Sequence, residues 1–323
     1  LGCHKQIQAC FAILQGPETI TRKDKMKTLF CSAFTVFSFV FHSCAFGEDV
    51  KFFSIGSGDI SGNYYPVARS ICEAFNASDD TRRRCSPEPT AGSVYNITAL
   101  RDREIEFAIV QSDWVRAAYN GTEVFEGSPS MKELRVVMPL FPETITVLAG
   151  PGSEIKAAID LAGKVVDIGR PASGRNATIR SLLKKLDVGD DFFGLVKELE
   201  PSASVSQLCE GSIDAAIFVV GHPSELVQNA LSKCNATIAE FAGPRIDTLL
   251  DESDYYQRSR IDSALYEDLT VPVESISVMA TLVTRTDLET NMVLDLANAI
   301  KSNAAKLAEE QPVLRSLGKT VAA

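Results

Sequence analysis

The 323-residue sequence predicts an α/β fold of two similar lobes, each a sheet flanked by helices and joined by two hinge strands. Three observations predict it. Strands alternate with helices along the chain, the opening strand, polar loop and helix recur in the second half, and two long β-rich segments are placed to cross between the halves.

Val50 to Ile55 is a short apolar run that ends in Gly56-Ser57-Gly58-Asp59-Ile60-Ser61-Gly62-Asn63. Tyr64 to Phe75 follows with apolar residues at helical spacing. The second half repeats this order: Lys164 to Ile168 as strand, Gly169-Arg170-Pro171-Ala172-Ser173-Gly174-Arg175-Asn176 as loop, Ala177 to Leu186 as helix. A second echo leads from Ser93-Val94 through a helix to the strand Ile105 to Val110, and from Ser204-Val205 through another to Ile213 to Phe218. Leu134 to Gly150 and Glu274 to Thr284 read as the crossing strands, and Asn291 to Glu310 as one amphipathic helix returning to the first lobe. The expected boundaries are residues 48–143 with 280–323 for lobe one and 144–279 for an inserted lobe two. A cleft between such lobes can close by a hinge.

An export address precedes this fold. Met26-Lys27 leads into the nearly uncharged, Phe-rich stretch Thr28 to Phe41 and then the small residues Ser43, Ala45 and Gly47. That order of basic start, apolar core and small-residue exit predicts a signal peptide cut near Ala45 or Gly47, and a periplasmic protein. Residues 1–25, with no periodic pattern, read as upstream sequence. Of 32 Lys and Arg and 42 Asp and Glu, the first 47 residues hold five and two, so the mature chain is more acidic than the formal −10 of the whole. An acidic surface excludes nucleic acid and anionic membrane as partners that need a basic footprint.

Four of the eight cysteines remain after export. Their grouping into two distant local sets pairs Cys72 with Cys85 and Cys209 with Cys234. Neither set has metal-ligand spacing and His222 is the single histidine of the mature chain, so no metal is expected. No Gly-x-Ser-x-Gly is present, and the Gly56-x-Gly58-x-x-x-Gly62 turn, which imitates a dinucleotide-binding loop, belongs to a chain addressed away from nicotinamide cofactors. A binding protein without cofactor is expected, not an enzyme. The five Asn-x-Ser/Thr sequons at Asn76, Asn96, Asn120, Asn176 and Asn235 read as chance in a bacterial chain.

Six pieces in order resemble the TAXI-type solute receptors of tripartite ATP-independent periplasmic (TRAP) transporters. They are Gly56-Ser57-Gly58 with Tyr64-Tyr65-Pro66, Gly92-Ser93-Val94 before Val110-Gln111-Ser112-Asp113, Pro142-Glu143, Gly169 to Gly174, Ile213-Asp214-Ala215 with Val219-Val220-Gly221, and Asp254-Tyr255-Tyr256. The resemblance spans about Phe52 to Leu288. It implies a type II-like periplasmic binding protein fold, a monomer, a small organic anion or acidic amino acid of the glutamate or 2-oxoglutarate class as ligand, and TRAP permease membrane subunits as partners. The alternative reading is a soluble ligand-sensing receptor for a membrane signalling partner, built on the same cleft.

The chemistry of such a cleft follows from loops at helix starts, where unpaired backbone N–H groups and the positive end of the macrodipole hold a carboxylate without a buried cation. The expected first-lobe donors are Ser57, Gly58, Ser61, Asn63 and Tyr64, with Gln111 and Ser112 at the adjacent strand end. Ser173, Gly174, Arg175 and Asn176 are the expected second-lobe donors, and the resemblance adds Gly221. Arg175 stands where the family usually has a small polar residue, and if turned inward it offers a bidentate carboxylate contact. Asp59 also departs from the family pattern: it either favours a ligand bearing an ammonium group or caps the loop.

Overall fold

In the computed structural model, which describes residues 50–78, 82–189 and 191–317, the chain builds one sheet from two copies of a single topology. The expected export segment, residues 1–47, lies outside the described residues. The first copy is β1 (Lys51–Gly56), α1 (Tyr64–Asn76), β2 (Arg83–Glu88), α2 (Ser93–Arg101) and β3 (Phe107–Gln111), with β1 parallel to both β2 and β3. Helix α3 (Ser112–Asn120) and the 16-residue strand β4 (Leu134–Ala149) lead out of it. The second copy is β5 (Val165–Asp167), α4 (Gly174–Lys185), β6 (Leu195–Lys197), α5 (Pro201–Cys209) and β7 (Ala215–Val220), with β5 parallel to β6 and β7. Then come α6 (Glu225–Cys234), β8 (Thr237–Ala239), α7 (Pro244–Asp251), β9 (Gln257–Ile261), β10 (Val273–Arg285), α8 (Thr290–Ser302) and α9 (Ala304–Glu310).

The strand order is β2-β1-β3-β10-β4-β7-β5-β6, with β8 beside β4 and β9 beside β10. Each copy therefore closes on a long antiparallel strand borrowed from elsewhere in the chain: β10 on β3, and β4 on β7. The two long strands pair with each other from Leu134 opposite Arg285 to Thr144 opposite Ser277.

Period-2 alternation in these strands feeds two faces, which is why the central parallel strands read as continuous apolar runs. Phe107 and Ile109 of β3 pack with α1 and α8 on one face, while Ala108 and Val110 pack with α2 and α3 on the other. In the second copy Ala215 and Ile217 join one cluster and Ala216, Phe218 and Val220 another. Along β4, Met138, Leu140 and Phe141 belong to the first copy's core and Ile145, Val147 and Ala149 to the second's. Along β10 the same change falls between Val278 and Ala280.

Both expected disulfides are present, Cys72 to Cys85 tying α1 to β2 and Cys209 to Cys234 tying the ends of α5 and α6. One expectation is corrected. The helix read as Asn291 to Glu310 is two helices broken at Asn303, whose side-chain amide donates to the Ala299 carbonyl and whose own carbonyl starts the next helix by accepting from Leu307.

Candidate functional site

Because the two copies share one topology, the loops after β1 and β5 and the starts of the helices that follow are brought face to face. Between them lies a cavity of about 120 Å³, lined from both copies. The first turns of α1 (Asn63, Tyr64), α2 (Gly92, Ser93), α4 (Ser173 to Arg175), α5 (Pro201) and α6 (Leu226) all reach it. Helix N-termini are the electropositive ends, so their convergence favours an anion.

Seven of the expected residues line this cavity: Gly58, Asn63, Tyr64, Gln111, Ser173, Gly174 and Arg175. Asn63 precedes α1 without capping it, and its Oδ1 is buried with no hydrogen-bond partner. Ser173 caps α4 by accepting from the Asn176 amide at 3.1 Å.

The other five act behind the wall. Ser57 is fully buried and its hydroxyl donates to the Glu88 carbonyl at 2.6 Å. Ser61 donates to Asp59, whose Oδ1 also takes the Ser61 amide, so Asp59 does cap its loop while still lining the cavity. Ser112 accepts from the Met279 amide, fixing the start of α3 to β10. Asn176 donates to the Gly169 carbonyl and to Glu198, which holds the second loop shut. Gly221 makes room for a close approach, since a Cβ there would sit 2.7 Å from Phe141 and closer still to Val313.

Arg175 lines the cavity, while its guanidinium is paired within the second copy. Its guanidinium meets Asp167 at 2.5 Å, donates to the Ile217 carbonyl and Ser204, and stacks 3.9 Å over the Phe218 ring. Burial lowers its pKa and Asp167 works in the opposite direction. Its charge is thus paired inside the second copy.

Several lining residues were not singled out as donors in the sequence. Glu143, on β4, is 4% exposed and accepts the Tyr64 hydroxyl at 2.6 Å. Burial pushes its carboxyl up to about 8, the Tyr64 hydrogen bond opposing that rise. Arg170 reaches across the cleft to the Thr90 carbonyl at 2.8 Å while pairing with Glu200. Phe218 had no signal, because a Phe in an apolar strand reads as core.

A buried latch beside the cavity joins the copies. The Thr178 hydroxyl of α4 accepts from Trp114 Nε1 at 2.9 Å and from Gln111 Nε2 at 3.4 Å, and donates to Asp113 at 2.7 Å. That saturates a hydroxyl's one donor and two acceptor positions. Trp114 Nε1 also reaches the Gly174 carbonyl. Burial raises Asp113 to about 7. Asn96, buried on α2, aligns the first wall by donating to the carbonyls of Ser57 and Ile109.

A family model matches residues 55–323. The chain belongs to the NMT1-like family. Among similar solved structures are an ancestral arginine-binding protein, 14% identical over 82% of this chain and 99% of that one with a TM-score of 0.49, and a Salmonella typhimurium periplasmic binding protein of high arginine specificity, 14% identical over 81% and 98% with a TM-score of 0.48. The Escherichia coli periplasmic aliphatic sulphonate binding protein is 14% identical over 84% and 77%, with a TM-score of 0.45. In this NMT1-like chain the lining combines helix starts from both copies with the carboxylate of Glu143. Among the described residues no helix is long and apolar enough to cross a membrane, and no cluster of His, Cys, Asp and Glu is arranged to hold a metal.

Proposed function

We propose that this protein captures one small carboxylate-bearing solute between two lobes outside the cytoplasm and delivers it to the membrane subunits of a TRAP-type permease. The observation that carries the reading is the convergence of helix N-termini from both copies on one small cavity, a design that holds an anion only when the two walls are together. Membership of the NMT1-like family and the six TAXI-like motifs support it. The moving bodies are residues 48–143 with 280–323 and residues 144–279, rotating about the points in β4 and β10 where the cores change hands. The ligand class is a small organic anion or acidic amino acid, glutamate or 2-oxoglutarate among them, bound without cofactor. First-lobe contacts come from Gly58, Asn63, Tyr64 and Gln111, and second-lobe contacts from Ser173 and the Gly174 backbone.

A thermal-shift screen of organic acids and amino acids tests this. A solute at one hundred times its Kd adds about 2.7 kcal/mol of stability to the form that binds it. Stabilisation by nucleotides, metals or sugars alone overturns the reading.

A further inference from the structure

The cavity is electrically divided. Its basic side chains, Arg170 and Arg175, belong to the second copy together with the α4 N-terminus, and each is already paired, with Glu200 and Asp167. Its acidic ones, Asp59 and Glu143, lie on the side of α1. Asp59 is engaged by Ser61. Glu143 has no cation within ion-pair distance among the described residues, and only its Oε2 is engaged, by the Tyr64 hydroxyl.

A buried carboxylate with no counter-charge is costly, and the cost is met by taking up a proton or by meeting a cation. Here the protein supplies no cation, but the carboxylate lines the cavity in which a solute is to be held. We infer that Glu143, oriented by Tyr64, reads a cationic nitrogen on the solute, so that the cleft selects amino-bearing carboxylates over the matching 2-oxo acids. The carboxylate of the solute then lies toward the α4 N-terminus and its ammonium toward Glu143, one charge for each wall. This inference rests on the anion-capture reading and narrows it.

The rise of the Glu143 carboxyl to about 8 fits a site that waits protonated and ionises when the ammonium arrives. A rival arrangement makes the opposite demand. If Glu143 stays protonated and donates to a solute oxygen, a glutamine serves equally well and a 2-oxo acid binds as tightly as an amino acid.

Calorimetry on the purified protein with L-glutamate, 2-oxoglutarate, L-alanine and pyruvate separates the cases. The wild type is expected to bind an amino acid at least tenfold tighter than its 2-oxo partner, with proton release at pH 7 visible as a dependence of the heat on buffer ionisation enthalpy. Glu143→Gln should reduce that preference to about onefold and abolish the proton release, while a melting curve shows that it folds. Tyr64→Phe, which keeps the carboxylate but frees its orientation, should lower the preference by a smaller factor. Equal or tighter binding of the 2-oxo acids by the wild type, or an unchanged preference in Glu143→Gln, overturns the inference and leaves capture standing. Binding of none of the four acids overturns both.

Discussion

Gly174 is a close approach between the two walls, and filling it tests whether capture requires closure. A Cβ there would overlap Gln111 Oε1 and stand 2.7 Å from Ser93 Oγ and 2.9 Å from Ser93 Cβ. The Gln111 amide can swing aside, but Ser93 Cβ belongs to the first turn of α2 and cannot move without its helix. Gly174→Ala therefore holds the walls apart, and with them the latch: two bonds from Trp114, one from Gln111 and one to Asp113. At a net value of about 0.5–1.5 kcal/mol each, losing all four removes about 2–6 kcal/mol from the closed form. Affinity should fall by at least roughly 30-fold, and by up to roughly 20,000-fold if every bond is lost. The melting temperature of the unliganded protein should change little, since alanine suits a helix at least as well as glycine. Calorimetry gives the affinity, and small-angle scattering at saturating ligand gives the radius of gyration, which should fall in the wild type and not in the variant. If Gly174→Ala binds and contracts like the wild type, the walls do not need to meet and the closure argument is wrong.

Other expectations concern the same parts. Glu143 and Asp113 have raised pKa values in the fold, so the stability they allow is complete below the unfolded carboxyl range and is lost as pH rises through about 7 and 8. Glu143 alone should cost the unliganded protein on the order of 2 kcal/mol between pH 6 and pH 8, a slope that Glu143→Gln removes from chemical denaturation curves. His222 acts in the other window: burial depresses it to about 4, so its contribution holds above the unfolded value near 6.5 and declines as pH falls from there toward 4. His222→Gln should flatten stability over that acid range. Trp114 is the single tryptophan of the chain and is bonded across the cleft, so its emission should shift toward the blue on ligand addition, and a spectrum indifferent to saturating ligand argues against a moving latch. Replacing Cys209 and Cys234 together by Ala should cost about 3.5 kcal/mol for a 25-residue separation and leave affinity near the wild-type value.

Much of the scaffold was legible because it is written in short-range pattern. The apolar runs of β3 and β7, the glycine-rich loops before α1 and α4 and the local cysteine sets each state their structure within a few residues. The break at Asn303 was not, since an asparagine inside a helical pattern leaves the helix only when its side chain finds a carbonyl to bond. The site divides along the same line. Residues at helix starts, such as Tyr64 and Ser173, follow from loop position alone. Whether a side chain then faces the cavity depends on partners distant in sequence: Ser57 is taken by Glu88 and Arg175 by Asp167, while Glu143 becomes a wall residue through Tyr64, 79 positions earlier.

The exchange of closing strands bears on how the proposed closure would work. Strand β4 finishes the second copy's sheet before that copy has begun, and β10 finishes the first copy's sheet after the second is complete. The two copies meet along the β4–β10 ladder, and each of these long strands contributes side chains to both cores. The ladder between β4 and β10 carries its register irregularities between Ala280 and Thr281 and between Leu282 and Val283, just beyond the point where Val278 and Ala280 divide the cores. Irregular pairing lets strands bend where regular pairing would hold them straight. Glu143 pairs with Val278 at that same level. On the proposed reading, the residue that meets the solute's ammonium is thus built into the proposed hinge strand, and a counter-charge arriving there would act on the element whose bending is proposed to bring the two walls together.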